Sequence, residues 1–370
     1  MEQIIISDYA AMDCWLHQNG AKRAMLICGK SIERQLINQY FNTLFDRQGV
    51  EVVRFMDFTP NPQYESVAKG VELFQQQKCD TIIAVGGGSA MDVAKCIKLY
   101  SGMDSQRNYL EQEIVPNNVP FLAIPTTAGT GSEATRYAVI YYNGVKQSVS
   151  HPSCIPAAVM LDSSMLKTLP PYQKKSTMMD AFSHALESFW SINSTDQSKE
   201  YSRDAIGMIL QHMDGYLANT DEGNQKMLLA ANTAGKAINI TQTTAGHAMC
   251  YKITSLYGIA HGHAAALCNR ELFPWMIEHT GDCTDPRGEQ YLISTFQEIA
   301  DAMGCVDAKA AAEKYREIFR KLALDVPKAE PNDYLLLQES VNQTRLKNNP
   351  VRLTSESISA LYHNIFEEKL

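Results

Sequence analysis

One aspartate and three histidines combine residue types and spacing that suit metal chemistry. Asp180 and His184 are four residues apart, so a helix would carry both side chains on one face. His247 and His261 follow further along the chain, fourteen residues apart. An Asp-x-x-x-His pair alone is more often a solvated pair or a helix cap. Three imidazoles with one carboxylate suit a divalent transition metal, and this set accepts Fe²⁺ or Zn²⁺.

The elements that must position these residues fall into two halves. Four apolar runs in the first half end at turns or glycines and predict strands, namely 24–28, 50–56, 81–85 and 120–124. Segments with helical spacing follow two of them, and this repetition predicts a parallel sheet covered by helices. After Leu169-Pro170-Pro171 helical periodicity dominates. The sequence therefore predicts an α/β domain over residues 1–170 and an all-helical domain over residues 171–370.

Two glycine-rich turns follow neighbouring predicted strands. Glycines let a backbone approach a phosphate closely, and a helix N-terminus supplies free N–H groups and a positive dipole end. One such turn is weak evidence, but two at the ends of adjacent strands favour a dinucleotide. The candidate cofactor residues in these turns and the helix after the first are Gly86, Gly87, Gly88, Ser89, Asp92, Thr126, Thr127, Thr130 and Ser132.

Gly29-Lys30-Ser31 occupies the place where dinucleotide folds often carry an acidic residue for the ribose hydroxyl. It is not the end of a P-loop, because that motif requires glycine where this chain has Ala24. A lysine in this position would meet a 2′-phosphate instead of repelling it. The sequence thus favours NADP(H), or use of both dinucleotides, over strict NAD(H). The alternative is that Lys30 is a solvated surface lysine.

Composition limits the class of protein. The chain has 370 residues with 45% hydrophobic and 20% charged residues, which is ordinary for a globular protein. Its net charge of -8, with no basic stripe, argues against nucleic acid or a membrane surface as the main partner. Nine scattered cysteines without a Cys-x-x-Cys pair fit reduced thiols. Without an export signal or a long apolar run, the expectation is a cytoplasmic protein.

Taken together, these motifs resemble the iron-containing (group III) alcohol dehydrogenases. The glycine turns, the Asp180-to-His184 spacing, His247, His261-Gly262 and the tail Asn349-Pro350-x-x-Leu353-Thr354 occur in the family's order. The resemblance implies a two-domain architecture like that of dehydroquinate synthase and a metal-dependent NAD(P)H enzyme that interconverts alcohols and aldehydes. It also implies that Asp180, His184, His247 and His261 bind the metal and that Lys146 contacts the cofactor. Family members often form dimers, so a homodimer is expected.

The chain departs from the family pattern near the metal. Many members carry a second histidine four residues after the first loop histidine, whereas this chain has Tyr251. Three positions beyond the glycine that follows His261, the usual asparagine is replaced by Ala265. Tyr251 or His263 is therefore the candidate for the proton relay, beside His247 and His261 at the catalytic centre. The alternative is that the cofactor ribose and water suffice. The alternative for His263 is a core or supporting histidine.

A cation beside the metal would suit an anionic small-molecule substrate. Lys252 is the leading candidate, assisted by Arg136 or Arg270, unless Lys252 only pairs with a neighbouring carboxylate. The segment 243–255 resembles the phosphonoacetaldehyde reductase branch of the family, which implies reduction of phosphonoacetaldehyde to 2-hydroxyethylphosphonate. Two alternatives remain open: a dehydrogenase of uncharged short-chain alcohols or diols, and a metal- and NAD-dependent lyase resembling the sugar-phosphate cyclases.

Overall fold

The structure is a computed structural model that describes residues 3–367. These residues divide into two compact units. The first runs to residue 127 and resumes over residues 131–169. The second comprises residues 128–130 and the chain from residue 170 onward.

A six-stranded parallel sheet forms the centre of the N-terminal unit. Its strand order is β1-β8-β5-β4-β2-β3, and all five pairings are parallel. A separate antiparallel hairpin, β6–β7, turns at Asn143-Gly144, where both residues have positive φ, as a tight hairpin turn requires. The strands are β1 (Ile4–Ile6), β2 (Arg23–Cys28), β3 (Glu51–Phe55), β4 (Thr81–Gly86), β5 (Phe121–Pro125), β6 (Tyr137–Tyr142), β7 (Val145–Ser150) and β8 (Ala158–Met160).

Side chains on both faces of this sheet are buried, which explains why its strands are continuous apolar runs. Alternate residues of β2 illustrate this: Met25 and Ile27 belong to one hydrophobic core, and Leu26 and Cys28 belong to the other. Helices cover both faces. They are α1 (Tyr9–Gln18), α2 (Ile37–Asn42), α3 (Leu44–Gln48), α4 (Tyr64–Gln76) and α5 (Gly88–Tyr100).

The strand order changes direction between β2 and β4. The chain passes from β2 outward to β3, then returns to β4 on the other side of β2 and continues to β5. In an open parallel sheet, ligands bind at the carboxyl ends of the strands where the order reverses. Gly29 follows β2 at this point, and the first glycine-rich turn ends β4.

The C-terminal unit is helical, with one isolated β-bridge between Cys283 and Val351 in the described part of the chain. None of the helices in the described residues is both long and apolar enough to cross a bilayer. The helices are α6 (Pro171–Trp190), α7 (Asp196–Leu217), α8 (Asp221–Thr241), α9 (Ala245–Tyr257), α10 (His261–Glu278), α11 (Glu289–Ala302), α12 (Ala308–Leu322), α13 (Asp333–Glu339), α14 (Gln343–Leu346) and α15 (Ser355–Glu367).

The predicted fold class, a parallel α/β domain followed by a helical domain, is confirmed. The four predicted strands correspond to β2, β3, β4 and β5. The sequence interpretation missed the two short strands at one side of the sheet, β1 and β8, and the antiparallel hairpin. β1 and β8 have three residues each, too few for a recognisable apolar run.

Candidate active site

The C-terminal unit brings the four predicted metal ligands together. Ligand atoms of Asp180, His247 and His261 all lie within 4.8 Å of one another. His184 joins this group from α6: its Nε2 is 3.9 Å from Asp180 Oδ1, and its ring stacks on His247 with centroids 4.6 Å apart. Asp180, His184 and His247 are buried, whereas His261 is half-buried. We call these four residues the metal group.

Helix α6 supplies two members of the metal group because of its residue spacing. Pro171 begins the helix, where its fixed φ is tolerated and its missing N–H leaves no helical bond unmade. Asp180 and His184, at positions i and i+4, then lie on one face. Glu187, seven residues after Asp180, continues the same stripe and is completely buried.

Two atoms of the metal group show that it fits a cation. Asp180 Oδ1 and His247 Nε2 are 3.6 Å apart, and both are buried without a hydrogen-bond partner among the described residues. A buried polar atom left in this way costs about 1–3 kcal/mol, so native structures rarely retain several together. A divalent ion would satisfy both atoms at once. Three imidazole nitrogens and one carboxylate oxygen are donors that Fe²⁺ and Zn²⁺ accept.

Glu187 is a functional residue that the sequence interpretation missed. Its Oε1 accepts a hydrogen bond of 2.6 Å from His247 Nδ1, which leaves Nε2 of that ring for a metal. Asn269 Nδ2 donates to the same oxygen at 2.8 Å. Glu187 Oε2 accepts from the backbone N–H of Thr244 at 2.6 Å and from its hydroxyl at 2.9 Å. One carboxylate on α6 thus orients His247 and caps the N-terminus of α9.

Close contact between helices requires glycine at two positions beside the metal group. A Cβ on Gly262 would lie 2.2 Å from Ser176 O and 2.5 Å from Asp180 Cβ. A Cβ on Gly246 would lie 2.1 Å from Asn269 Oδ1. Glycine at these positions allows α10 and α9 to bring their histidines against α6.

Electrostatics favour the ligand forms of the acidic residues. Burial alone would raise the pKa of Glu187, but the charge of His247 and hydrogen bonds from His247, Asn269 and Thr244 lower it to about 2. Burial opposes ionisation of Asp180 as well, yet the three neighbouring histidines hold its pKa below its usual range. Both carboxylates are therefore ionised at neutral pH, which is the form that binds a metal or holds a ligand histidine.

Tyr251 lies beside the metal group. Lys252, the next residue, lies on a different face of α9. The Tyr251 ring stacks on His261 with centroids 5.6 Å apart. Burial raises the pKa of Tyr251 to about 12 despite the opposing effect of Arg345. Lys252 is half-buried and lies about 100° further around α9. Arg345, on α14, is a second residue of the site that the sequence interpretation missed, because no motif surrounds it.

The structure separates His263 from the metal group. His263 is two residues after His261, which places it about 200° around α10. Its Nδ1 hydrogen-bonds with Tyr172 Oη at 3.1 Å, and the ring lines a cavity of about 360 Å³ with Tyr172 and Tyr257. Burial lowers its pKa to about 4. Tyr251 is therefore placed closer to the metal group than His263, and a role of His263 in the proton relay stays a prediction.

Arg270, predicted to assist in substrate binding, is buried in the helical core. It is 1% exposed, and its Nε is 2.5 Å from Glu271 Oε1. A second guanidinium nitrogen donates to the carbonyl of Ile365 at 3.1 Å. These contacts use the arginine inside the helical core, so it is not part of the substrate site that we propose.

In the N-terminal unit, the two glycine-rich turns begin side by side. Because β4 and β5 are paired, Thr126 N–H donates to Gly86 O at 3.0 Å. Gly87 caps α5, and a Cβ there would meet Thr127 Oγ1 at 3.2 Å. Gly88 and Ser89 form the first turn of α5. This arrangement offers backbone N–H groups and a helix N-terminus at one edge of the sheet, as a pyrophosphate requires.

Asp92 and Lys95 hold the second glycine-rich turn in place. Lys95, fully buried, donates to the hydroxyls of Ser132 at 2.9 Å and Thr135 at 3.1 Å and to Tyr137 O at 2.7 Å. Ser132 in turn donates to Asp92 Oδ1 at 3.2 Å. Burial raises the pKa of Asp92 to about 6, against the effect of the Lys95 cation. Asp92 and Ser132 thus contact each other, and both support the turn.

The remaining predicted cofactor residues, except Thr130, also belong to the N-terminal unit. Gly29 follows β2, and Lys30 and Ser31 are exposed in the short 3₁₀ helix after it. Thr130 belongs to the segment 128–130, which clusters with the C-terminal unit. Lys146 lies on β7 near Asp92, whose pKa it lowers. Arg136 contacts the ring of Tyr137, with its guanidinium carbon 5.5 Å from the ring centroid.

Comparison with known families agrees with this architecture. A family model described as iron-containing alcohol dehydrogenase matches residues 6–163. A second, described as the C-terminal part of the Fe-containing alcohol dehydrogenase family, matches residues 174–366. The chain belongs to the iron-containing alcohol dehydrogenase family and is an oxidoreductase of that class. The predicted resemblance and enzyme class are confirmed.

Individual relatives and solved structures extend the comparison. The chain is 30% identical to phosphonoacetaldehyde reductase of Streptomyces viridochromogenes over 311 residues, 80% of this chain and 79% of the relative. It is 27% identical to lactaldehyde reductase of Escherichia coli strain K12, covering 94% and 92% of the two chains. Its fold matches the structure of sulfoacetaldehyde reductase from Bifidobacterium kashiwanohense in complex with NAD+, with a TM-score of 0.88, 24% identity, and coverage of 99% and 98%.

Proposed function

We propose that this protein is a metal-dependent NAD(P)H aldehyde reductase that reduces phosphonoacetaldehyde to 2-hydroxyethylphosphonate in phosphonate metabolism. The metal group is the observation that supports this type of reaction. It brings three histidines and an aspartate together, and two of their buried ligand atoms have no hydrogen-bond partner among the described residues. The substrate is supported by 30% identity to a phosphonoacetaldehyde reductase over 80% of the chain.

Different residues of this chain would bind the metal, bind the cofactor and donate the proton in such a reaction. Asp180, His184, His247 and His261 would hold Fe²⁺ or Zn²⁺, which when bound polarises a carbonyl oxygen and stabilises the developing alkoxide. The glycine-rich turns would bind the dinucleotide that supplies the hydride. Tyr251, stacked on His261, places a phenol beside the metal group, where Oη can donate a proton to the alkoxide.

The experiment that tests this function is an aldehyde panel with NADH and NADPH on protein of measured metal content. We expect net NAD(P)H oxidation with phosphonoacetaldehyde at a kcat/KM at least about tenfold above that for propanal or lactaldehyde. Net cofactor consumption excludes a cyclase-type lyase, which returns its hydride. Faster reduction of the uncharged aldehydes would contradict the phosphonate substrate and support the alternative below.

A dehydrogenase of uncharged short-chain alcohols or diols, of the propanediol or butanol type, is the second candidate function. The observation that favours it is the match to lactaldehyde reductase, which extends over 94% of this chain. The same metal group serves either substrate, because it acts on the carbonyl oxygen. The two functions therefore differ only in what binds the rest of the aldehyde.

We also propose that the enzyme prefers NADPH or uses both dinucleotides. Lys30 is exposed after β2, beside the point where the strand order reverses. We expect Lys30→Ala to raise KM for NADPH about tenfold and to change KM for NADH less than threefold, because the lysine meets only the 2′-phosphate. Lys22→Ala is the matched control, since Lys22 is an exposed lysine before the same strand. Equal effects on both cofactors in steady-state kinetics would indicate a surface lysine.

We also propose that the protein forms a homodimer and is located in the cytoplasm. β1 lies at the edge of the sheet, and Ile4 and Ile5 on it are each 53% exposed. An exposed apolar edge strand favours pairing with another chain. All nine cysteines are free thiols, which suits a reducing compartment.

A further inference from the structure

Arg345 is positioned by contacts that connect α14 to the helix carrying His247. The backbone N–H of Asn342 donates to Ala248 O on α9 at 3.2 Å. The Asn342 side chain then caps α14 by accepting from the N–H of Arg345 at 3.0 Å. This short helix is therefore fixed against α9, and the position of Arg345 follows from that of the metal group.

The guanidinium of Arg345 lies beside Tyr251. A side-chain hydrogen bond joins the two residues. Tyr251 in turn stacks on His261, a member of the metal group. One aromatic ring thus separates the arginine from a metal ligand, within a single compact unit.

Gln242 is a second partner of the Arg345 guanidinium. Its Oε1 accepts from Arg345 Nη1 at 2.6 Å and from Asn348 Nδ2 at 3.4 Å. Gln242 ends α8 with φ of 62° and ψ of 176°, a backbone conformation that side-chain-bearing residues rarely adopt. Both Gln242 and Tyr251 are uncharged partners that orient the guanidinium.

The cations predicted from the sequence are placed less well than Arg345 beside the metal group. Lys252 is about 140° around α9 from His247, whereas Tyr251 is about 40° from it. Arg270 is engaged with Glu271 in the core. Arg136 belongs to the N-terminal unit, where it contacts Tyr137. Arg345 is the arginine that contacts the aromatic neighbour of His261.

We infer that Arg345, oriented by Gln242 and Tyr251, binds the anionic head of a short aldehyde whose carbonyl is at the metal group. A phosphonate two bonds from the carbonyl carbon requires a cation close to the metal ligands, and arginine binds such oxyanions through two parallel hydrogen bonds. This inference rests on the proposed aldehyde reductase function and names the residue that selects its substrate.

The test compares phosphonoacetaldehyde with propanal in the full-length, metal-loaded enzyme and its variants. For Arg345→Gln we expect KM for phosphonoacetaldehyde to rise at least about thirtyfold, because a charged partner is lost. The loss of kcat/KM for propanal should stay below about threefold. Arg345→Lys should recover part of the affinity, since the charge returns without the planar fork. Lys347→Ala, which removes an exposed cation two residues further on, is the matched control.

A binding measurement separates this inference from the proposed function. Ethylphosphonate carries the anion but no aldehyde, so calorimetric titration reports anion binding whether or not the enzyme reduces phosphonoacetaldehyde. We expect binding to the unmodified enzyme and at least about tenfold weaker binding to Arg345→Gln. Equal losses for propanal and phosphonoacetaldehyde, unchanged ethylphosphonate affinity, or loss of anion selectivity in Lys252→Ala instead would each overturn the assignment. Absence of aldehyde reduction with intact, Arg345-dependent anion binding would contradict the proposed function alone.

Discussion

Replacement of His261 by alanine is expected to lower kcat for aldehyde reduction by about three orders of magnitude or more. Its ligand atom lies within 4.8 Å of those of Asp180 and His247, so the variant loses one of the proposed ligands that position a Lewis acid. Loss of several kcal/mol of alkoxide stabilisation corresponds to an effect of this size. Steady-state rates, measured together with metal content per chain, check the prediction. His261 is the half-buried member of the group, so this variant perturbs the core least.

The control for His261→Ala is dinucleotide binding, measured by fluorescence of NADPH added to the variant. Affinity should change less than about threefold, because the first glycine-rich turn, and all of the second except residues 128–130, belong to the other unit. Removal of metal with a chelator should inactivate the unmodified enzyme, and adding Fe²⁺ or Zn²⁺ should restore it. Full turnover by metal-free protein would contradict the metal mechanism.

The central strands of the sheet could be predicted because a strand buried on both faces is a continuous run of apolar residues. Ile82, Ile83, Ala84 and Val85 of β4 are all buried, so a single apolar run marks the strand. In β1, Ile4 and Ile5 are half exposed, and the strand is only three residues long. Such a strand exists because β8 pairs with it, and pairing between distant segments leaves no local pattern.

In the candidate site, too, some residues could be predicted from the sequence and others could not. The Asp180-to-His184 spacing is local, and the family resemblance supplied His247 and His261. Glu187 was available in principle, since it continues the stripe of Asp180 and His184 on α6. Its meaning depends on Thr244 and His247, which approach it only in the folded chain.

Arg345 had no comparable local signal. It lies in a four-residue helix within a polar segment, about a hundred residues after its partner Gln242. Lys252 was favoured because it is adjacent to Tyr251 in sequence, but adjacent residues on a helix face different directions. Lys252 therefore lies on a different side of α9 from Tyr251, and its role in substrate binding stays a prediction.

Glu187→Gln is expected to weaken metal binding by about 10- to 100-fold, the range found when a carboxylate that supports a ligand histidine is lost. The substitution keeps the shape of the side chain and an oxygen for His247 Nδ1, but it removes the negative charge that favours a proton on that nitrogen. Nε2 then presents its lone pair less consistently to the metal. Competition with a chromogenic chelator gives the metal affinity, and chemical denaturation of the metal-free protein gives the free energy of unfolding.

Thr244→Ala distinguishes this positioning role from simple support of the fold. Thr244 Oγ1 donates to Glu187 Oε2, on the side of the carboxylate away from the bond between Oε1 and His247 Nδ1. We expect this variant to lose about 2 kcal/mol of stability, because Thr244 Oγ1 also accepts a hydrogen bond from Trp190 Nε1 at 2.9 Å, so two buried hydrogen bonds are lost. Metal affinity should change less than about threefold. If both variants lose stability alike and neither changes metal affinity, Glu187 only caps α9. If Glu187→Gln alone releases metal, the carboxylate acts through His247, and the strength of the metal site depends on a residue that never contacts the ion.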